Sequence, residues 1–297
     1  MGNDRLKGIG AILISALGFS MMNLLIPLAG DLPTVQKSFF RNLVAFLVAV
    51  IILLSTHRKT PVKELKDPKA INWPLLFLRS LMGTIGIWCN FYAMDHLYIA
   101  DASVLNKLSP FAVLIFSHLF LKERMTKFHL LILGLAFVGV LLVVQPSLSG
   151  TYLFPYFVGI GGGLAAGAAY TCVRHLSKEG MTPAFIVCFF SAFSCIVSIP
   201  QLVFAYVPMT GRAVLILLGV GLMAAIGQFG ITLAYKFAPA AQISVYDYSA
   251  IIFTGILGFL FLNQRPDGLS LLGYGVIIIA GILTFFYNSP YFKKSKS

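Results

Sequence analysis

The chain has 297 residues, of which 58% are hydrophobic and only 11% are charged. Its mean hydropathy is +0.89, which excludes a soluble globular protein and indicates a chain that folds in lipid. The formal net charge of +12 is explained below by membrane topology, so it does not indicate a nucleic-acid partner.

Each helical crossing of a bilayer core about 30 Å thick needs about 20 mostly apolar residues. The chain contains ten such runs, so we predict an all-α, polytopic membrane protein. In chain order, the predicted spans are Gly8–Leu28, Val35–Ser55, Trp73–Met94, Ile99–Leu121, Phe128–Gln145, Leu153–Leu176, Pro183–Val207, Arg212–Tyr235, Ala241–Leu262 and Leu269–Tyr287.

The distribution of basic residues predicts the orientation, because short cytoplasmic loops retain lysine and arginine. Most of the 22 basic residues fall on one side of the span map, whereas Lys37, Arg212 and Arg265 fall on the other. Both termini are therefore predicted to be cytoplasmic, and the basic loops favour a bacterial inner membrane, which is the plasma membrane of the cell. The residues on the predicted cytoplasmic side are Arg5, Lys7, Arg58, Lys59, Lys63, Lys66, Lys69, Lys122, Arg124, Lys127, Arg174, Lys178, Lys236, Lys293, Lys294 and Lys296.

The two halves of the chain repeat each other. A shift of 141 positions aligns residues 120–124, FLKER, with residues 261–265, FLNQR, and also aligns Gly134 with Gly275. Each half has five spans, an odd number, so the second half must enter the membrane from the opposite face. We therefore predict two inverted five-helix repeats, in domains 1–145 and 153–297, with a central site between them.

Several diffuse motifs lie in the first half of the chain, at Asn90–Met94, Ala100–Ser103, Leu108–Pro110, Leu119–Glu123 and Gly134–Gly139. Together they resemble the first repeat of the drug/metabolite transporter superfamily, EamA type. The second copy departs from the pattern, with Ile251 where the first has Pro110 and Gln264 where it has Glu123. The resemblance implies a ten-helix carrier of small polar metabolites, often amino acids or related compounds, that commonly works by exchange or proton coupling.

Charges at bilayer depth are costly, by at least ~2.5 kcal/mol, so each one is a candidate site residue. Asp247 lies in the ninth span and aligns with Asn106 of the fourth, beside Lys107. We expect Asn106, Lys107, Tyr246 and Asp247 to line one cavity. The alternative is an internal ion pair of Asp247 with Arg79 or Lys107 that only neutralises buried charge.

The remaining candidates carry weaker signals. Arg79 and Arg41 are candidate substrate contacts, although an arginine can also extend its head to the interface. Four uncharged residues inside spans one, three and eight are candidates either to orient a ligand or to bond a neighbouring helix. They are Asn23, Trp88, Asn90 and Gln228.

The side-chain inventory predicts a positive lumen, because three buried cations stand against one buried acid. Such a lumen favours a carboxylate or phosphate, while Asp247 and its flanking tyrosines suit an amino group. A zwitterion such as an amino acid satisfies both. The chief alternative is exchange or import of a nucleoside-derived or cationic metabolite, such as S-adenosylmethionine or choline.

We expect a transporter rather than an enzyme, because no reactive constellation lies wholly at membrane depth. No cofactor or metal site is predicted, and the four cysteines are expected to be packing residues. A channel is the non-carrier alternative, but channels usually need a ring of subunits or a charged filter. Protons or a counter-substrate are candidate coupling partners, and the sequence is compatible with a monomer or a homodimer and with either direction of transport.

Overall fold

The computed structural model describes residues 2–59, 62, 64, 67, 69, 71–97, 99–145, 153–262 and 266–288. Regular structure in these ranges is helical throughout. The helices are α1 (Gly2–Leu25), α2 (Thr34–Lys59), α3 (Trp73–His96), α4a (Ile99–Asn106), α4b (Ser109–Leu121), α5 (Lys127–Val144), α6 (Phe154–Lys178), α7 (Pro183–Phe204), α8 (Gly211–Phe237), α9a (Ala240–Ile243), α9b (Ser249–Leu262) and α10 (Gly268–Tyr287). Two 3-10 segments, Ile26–Ala29 and Ser244–Tyr248, follow α1 and α9a.

Some features singled out in the sequence lie outside the described residues. These are the segment between the predicted domains, the pentapeptide end of the second copy and part of the basic loops. They comprise residues 146–152, Gln264, Arg265, Lys63, Lys66, Lys293, Lys294 and Lys296.

The ten predicted spans are confirmed, since the described residues contain ten helices long and apolar enough to cross a membrane. Local capping sets where some of them begin. The side chain of Asn72 accepts a hydrogen bond from the Leu75 N–H at the start of α3. The side chain of Asp267 accepts one from the Ser270 N–H, at 2.8 Å, at the start of α10. Such caps each stabilise a helix by about 1 kcal/mol.

The fourth and ninth spans are both interrupted, a feature that our span assignment lacked. Lys107 and Leu108 form a turn between α4a and α4b, and Pro110 lies in the first turn of α4b, where its missing N–H is tolerated. The ninth span contains the 3-10 segment, which ends at Tyr248. A shift of 141 positions aligns Tyr248 with Lys107, so the two breaks are equivalent.

Glycines seat the helices that surround these breaks. A Cβ atom at Gly163 or Gly167 of α6 would collide with the backbone of α4a or α4b. In α8, a Cβ atom at Gly230 would lie 2.8 Å from the Ala11 carbonyl oxygen of α1. The glycines of α6 thus let this helix pack closely against the broken fourth span, as expected where lipid offers no hydrophobic drive between helices.

The exterior of the bundle is apolar, and polar side chains are buried among the apolar ones in its interior. Large apolar side chains such as Leu131, Leu215 and Phe204 are 67%, 71% and 89% exposed. Asn42 and Thr232, by contrast, are fully buried. This distribution suits a protein whose surroundings are lipid and whose polar groups face one another inside.

Candidate functional site

The two breaks meet, and the meeting point is an ion pair between the halves of the chain. Lys107 Nζ lies 2.9 Å from Asp247 Oδ2 and 3.1 Å from the Asp247 carbonyl oxygen. The two side chains are only 12% and 14% exposed. Of the two partners considered for Asp247, the structure brings Lys107 to it.

A second contact joins the two helix breaks, and here the donor belongs to the second half of the chain. Tyr248 is fully buried, and its hydroxyl donates to the Lys107 carbonyl oxygen at 3.2 Å. Because Lys107 and Tyr248 are equivalent positions, each break supplies a side-chain donor to a backbone carbonyl oxygen of the other break. The interruptions therefore give the site backbone acceptors that an unbroken helix would keep for itself.

Asn106 and Tyr246 flank the ion pair. Asn106 is the last residue of α4a and is half-buried. The Tyr246 hydroxyl donates to the Gly281 carbonyl oxygen of α10 at 3.0 Å. Of the four residues expected to line one cavity, the structure brings Lys107 and Asp247 into direct contact, and the cavity itself stays a prediction.

Arg79 is the most deeply buried cation, at 1% exposure. Its guanidinium carbon lies 3.9 Å from the centre of the Phe190 ring of α7, a stacking arrangement that stabilises a desolvated cation. Gly83 provides the space, since a Cβ atom there would collide with the Arg79 guanidinium. Nε and Nη1 of Arg79 have no hydrogen-bond partner among the described residues.

Arg41 is also buried, but it has hydrogen-bond partners on α1 and α2. Its Nη1 donates to Asn42 Oδ1 at 3.0 Å, and its Nε lies 3.3 Å from the sulfur of Met22. Asn42 in turn donates to Ser194 of α7 at 2.8 Å. Arg41 is therefore held by a polar network that joins α1, α2 and α7.

The four uncharged candidates separate into two groups. Trp88 Nε1 and Gln228 Nε2 are buried donors without a partner in the described part of the chain. Asn90 is half-buried on α3, whose backbone lies against Gly162 of α6, and Asn23 is exposed near the end of α1. Their roles as ligand contacts stay predictions.

Two interior tyrosines escaped the sequence reasoning. The rings of Tyr170 in α6 and Tyr235 in α8 stack with their centres 5.8 Å apart. Tyr170 lies within electrostatic range of Asp247, Arg79 and Arg41. Its position one turn after Gly167 in α6 was the available signal in the sequence.

A second ionic cluster closes the bundle on the side of the N-terminus. Arg174 Nε lies 2.7 Å from Glu123 Oε1, and its Nη1 donates to the Tyr235 carbonyl oxygen at 2.9 Å. Glu123 also accepts from the Ala240 N–H at 3.3 Å. Arg174, which the orientation argument counts on the cytoplasmic side, lies in the last turns of α6 and is only 8% exposed.

The described residues contain no group of three or more histidine, cysteine or acidic side chains able to hold a metal ion. The four cysteines are unpaired and lie within helices. What the interior offers is fixed charge and hydrogen-bond donors, which bind and orient a polar solute.

Comparison with known proteins gives a consistent result. A profile of the EamA-like transporter family matches residues 6–145 and 153–286. The pseudopaline exporter CntI of Pseudomonas aeruginosa strain UCBPP-PA14 is 32% identical over 282 residues, which cover 94% of this chain and 96% of the exporter. Human solute carrier family 35 member G1 is 26% identical, covering 87% and 73% of the two chains. A riboflavin transporter of Vibrio cholerae is 22% identical, covering 93% and 91%.

A solved structure described as "Crystal structure of protein" superposes with a TM-score of 0.79. The alignment covers 97% of this chain and 100% of that chain at 16% identity. At this identity the likeness shows the fold alone.

Proposed function

We propose that this chain, which belongs to the EamA-like transporter family and is a membrane transporter rather than an enzyme, moves a small zwitterionic metabolite by alternating access. Amino acids and related compounds are the expected substrate class. The observation that carries the proposal is the Lys107–Asp247 ion pair between the two helix breaks. The same interior holds Arg79, which is buried and has two N–H groups without partners among the described residues.

The ion pair gives the empty carrier a neutral resting state. With no substrate bound, the two charges compensate each other, so the interior need not hold an isolated ion while the protein reorients. A zwitterion can replace this pair, its carboxylate binding Lys107 and its amino group binding Asp247. Every charge then keeps a partner through the exchange, and the site discriminates against solutes that carry only one of the two groups.

The unpaired donors extend this preference toward acceptor-rich substrates. Arg79, Trp88 and Gln228 all present buried N–H groups without partners among the described residues. A buried donor left unsatisfied costs about 1–3 kcal/mol. A carboxylate or carbonyl on the substrate would recover that cost, which supports a solute with more oxygen acceptors than amino groups.

The helix contacts support two inverted repeats and therefore alternating access. The two most extensive pairings are α1 with α8 and α3 with α6. In a duplicated five-helix unit, α1 corresponds to α6 and α3 corresponds to α8. The α1–α8 pairing therefore corresponds to the α6–α3 pairing, as a twofold-related duplication requires. The pairings of α6 with α4b and of α1 with α9b are related in the same way. Two such units offer two similar states, open to opposite sides.

We propose the direction of transport and the membrane that contains the protein from the relatives. The likeness to a pseudopaline exporter favours export, and the bacterial source of that relative favours a bacterial inner membrane. We place both termini in the cytoplasm on the basis of the basic loops. Protons or a counter-substrate are the candidate coupling partners, and a monomer would already contain the whole site.

A second candidate is exchange or import of a cationic or nucleoside-derived metabolite. Asp247 lies between Tyr246 and Tyr248, and aromatic rings beside a carboxylate suit an ammonium group. We rank this candidate second because Lys107 already neutralises the carboxylate.

Counterflow into proteoliposomes tests the proposal. We expect saturable uptake of a labelled amino acid or related zwitterion, no conductance, and a KM about tenfold higher for Arg79→Gln because one charge-assisted hydrogen bond is lost. Arg212→Gln is the matched control, since Arg212 is exposed. Counterflow of cations but not of zwitterions would favour the second candidate, and conductance would favour a channel.

A further inference from the structure

A recess of about 420 Å³ opens on the flank of the bundle, between α1, α9b and α10. Its walls are almost entirely apolar and include Leu13, Phe253, Ile278 and Phe285. Ile278 is 51% exposed, so the recess opens toward the surrounding bilayer rather than into the interior. Its volume falls within the range of about 300–1,000 Å³ typical of ligand pockets.

An unpaired cation stands at one end of this recess. Arg5, in the first turns of α1, is only 9% exposed. Its guanidinium carbon lies 4.8 Å from the centre of the Phe285 ring, which belongs to the wall. Nε and Nη1 of Arg5 are buried and have no hydrogen-bond partner among the described residues. Arg5 therefore presents unused donors at the membrane boundary on the side of the N-terminus.

We infer that this recess is a binding site for one anionic phospholipid of the leaflet on the side of the N-terminus. The acyl chain occupies the apolar recess, and the phosphate accepts hydrogen bonds from the Arg5 guanidinium. Arginine binds phosphate in a bidentate manner, and basic pockets between membrane helices bind anionic headgroups. An aqueous anion would have no use for the apolar walls, and a neutral apolar molecule would leave Arg5 unsatisfied.

The site also contacts the transport machinery. The ring of Tyr246 lines the recess, and the next residue is Asp247 of the ion pair. The Tyr246 hydroxyl holds the break to α10 through Gly281. A bound acyl chain would therefore pack against the segment that carries Asp247, and the lipid composition would influence transport.

Native mass spectrometry of the full chain, titrated with phosphatidylglycerol or phosphatidylcholine, tests the headgroup contact. We expect one phosphatidylglycerol to be retained about tenfold more strongly than phosphatidylcholine, as one charge-assisted contact implies. Arg5→Ala should abolish this preference. Lys7→Ala, which removes an exposed cation paired with Asp4 on the same helix, should preserve it. Equal retention of the two lipids by the unchanged protein, or an undiminished preference in Arg5→Ala, overturns the inference.

A second pair of variants tests the recess itself and does not depend on Arg5. A Cβ atom at Gly281, which lines the recess, would lie 3.4 Å from the Tyr246 ring, an ordinary van der Waals contact. The larger side chain of Gly281→Leu would therefore occupy part of the recess. A Cβ atom at Gly275 of the same helix meets nothing within 4 Å, so Gly275→Leu is the control. We expect the first variant to lose the retained lipid and the second to keep it. Retention by Gly281→Leu equal to that of the control would place the lipid elsewhere and refute the site.

Discussion

Changing the two members of the Lys107–Asp247 pair singly and together separates a structural role from substrate binding. Lys107→Met leaves the Asp247 carboxylate, which is 14% exposed, without its cation. Removing one partner of a buried pair costs about 3–5 kcal/mol, and the residual exposure favours the lower figure, about 3 kcal/mol. For a chain of this length we expect the melting temperature to fall by roughly 6 °C. Lys107→Met/Asp247→Asn removes both charges, so most of that loss should return.

The assays are thermal unfolding in detergent and zwitterion counterflow in proteoliposomes, each performed on Lys107→Met, on Asp247→Asn and on the double variant. We expect the double variant to regain stability but to transport no zwitterion, because neither end of the substrate finds its partner. Lys127→Met, which changes an exposed lysine at the start of α5, serves as the control for both assays. If the double variant transported at the unchanged rate, the pair would only neutralise buried charge, and our assignment of the site would be wrong.

Three further predictions concern the surroundings of the site. Gly83→Ala should displace the Arg79 guanidinium, because the new Cβ atom would collide with it. We expect the variant to fold and to have a KM of counterflow about tenfold higher. An unchanged KM would remove Arg79 from the substrate contacts. Glu123→Gln should lower the melting temperature, because it leaves Arg174, which is only 8% exposed, without its carboxylate. Removal of a buried partner costs about 3 kcal/mol. An unchanged melting temperature would contradict this role of Glu123. Asp267 receives hydrogen bonds from a side-chain amide at the end of α5 and from α10, which hold the pKa of its carboxyl below the usual 3.8. Its stabilising effect is therefore present above pH 3.8 and lost as the pH falls through the lowered pKa. The difference in melting temperature between the unchanged protein and Asp267→Asn should disappear in acid, and a constant difference would refute the contact.

The spans were predictable because bilayer thickness fixes their length and lipid fixes their composition. The contact between the fourth and ninth spans was also predictable, since Lys107 and Asp247 are charges at bilayer depth, where an uncompensated charge is costly. The sequence left open whether Asp247 would pair with Arg79 or Lys107. That choice depends on the relative height of two helices from different halves, which no local pattern encodes.

The helix breaks were only half visible in the sequence. Pro110 indicates an interruption in the fourth span, because proline lacks an N–H and starts helices readily. The ninth span has Ile251 at the equivalent position and breaks without any proline, through the 3-10 segment Ser244–Tyr248. That break is maintained by tertiary contacts, among them the Tyr246 hydroxyl bond to α10.

The burial of charge at helix ends was not predictable from position alone. Arg174 counts as a cytoplasmic-side residue in the orientation argument, and the structure buries it with Glu123 in a cluster that connects α6, α8 and the end of α4b. Tyr170 was missed because a single aromatic residue on a glycine-rich face is typical of ordinary packing. Only the assembled bundle shows that it stacks on Tyr235 near both arginines.

Side-specific labelling of Asn106→Cys tests the central claim most directly. Asn106 ends α4a beside the ion pair, and the variant is made in a background without the four native cysteines and reconstituted in one orientation. If two inverted units enclose one alternating site, a membrane-impermeant thiol reagent will react from either side but never from both at once, and a transported zwitterion will protect the thiol. Simultaneous reaction from both sides would indicate a channel, and a thiol that reacts only with a lipid-soluble reagent would place α4a outside any aqueous site.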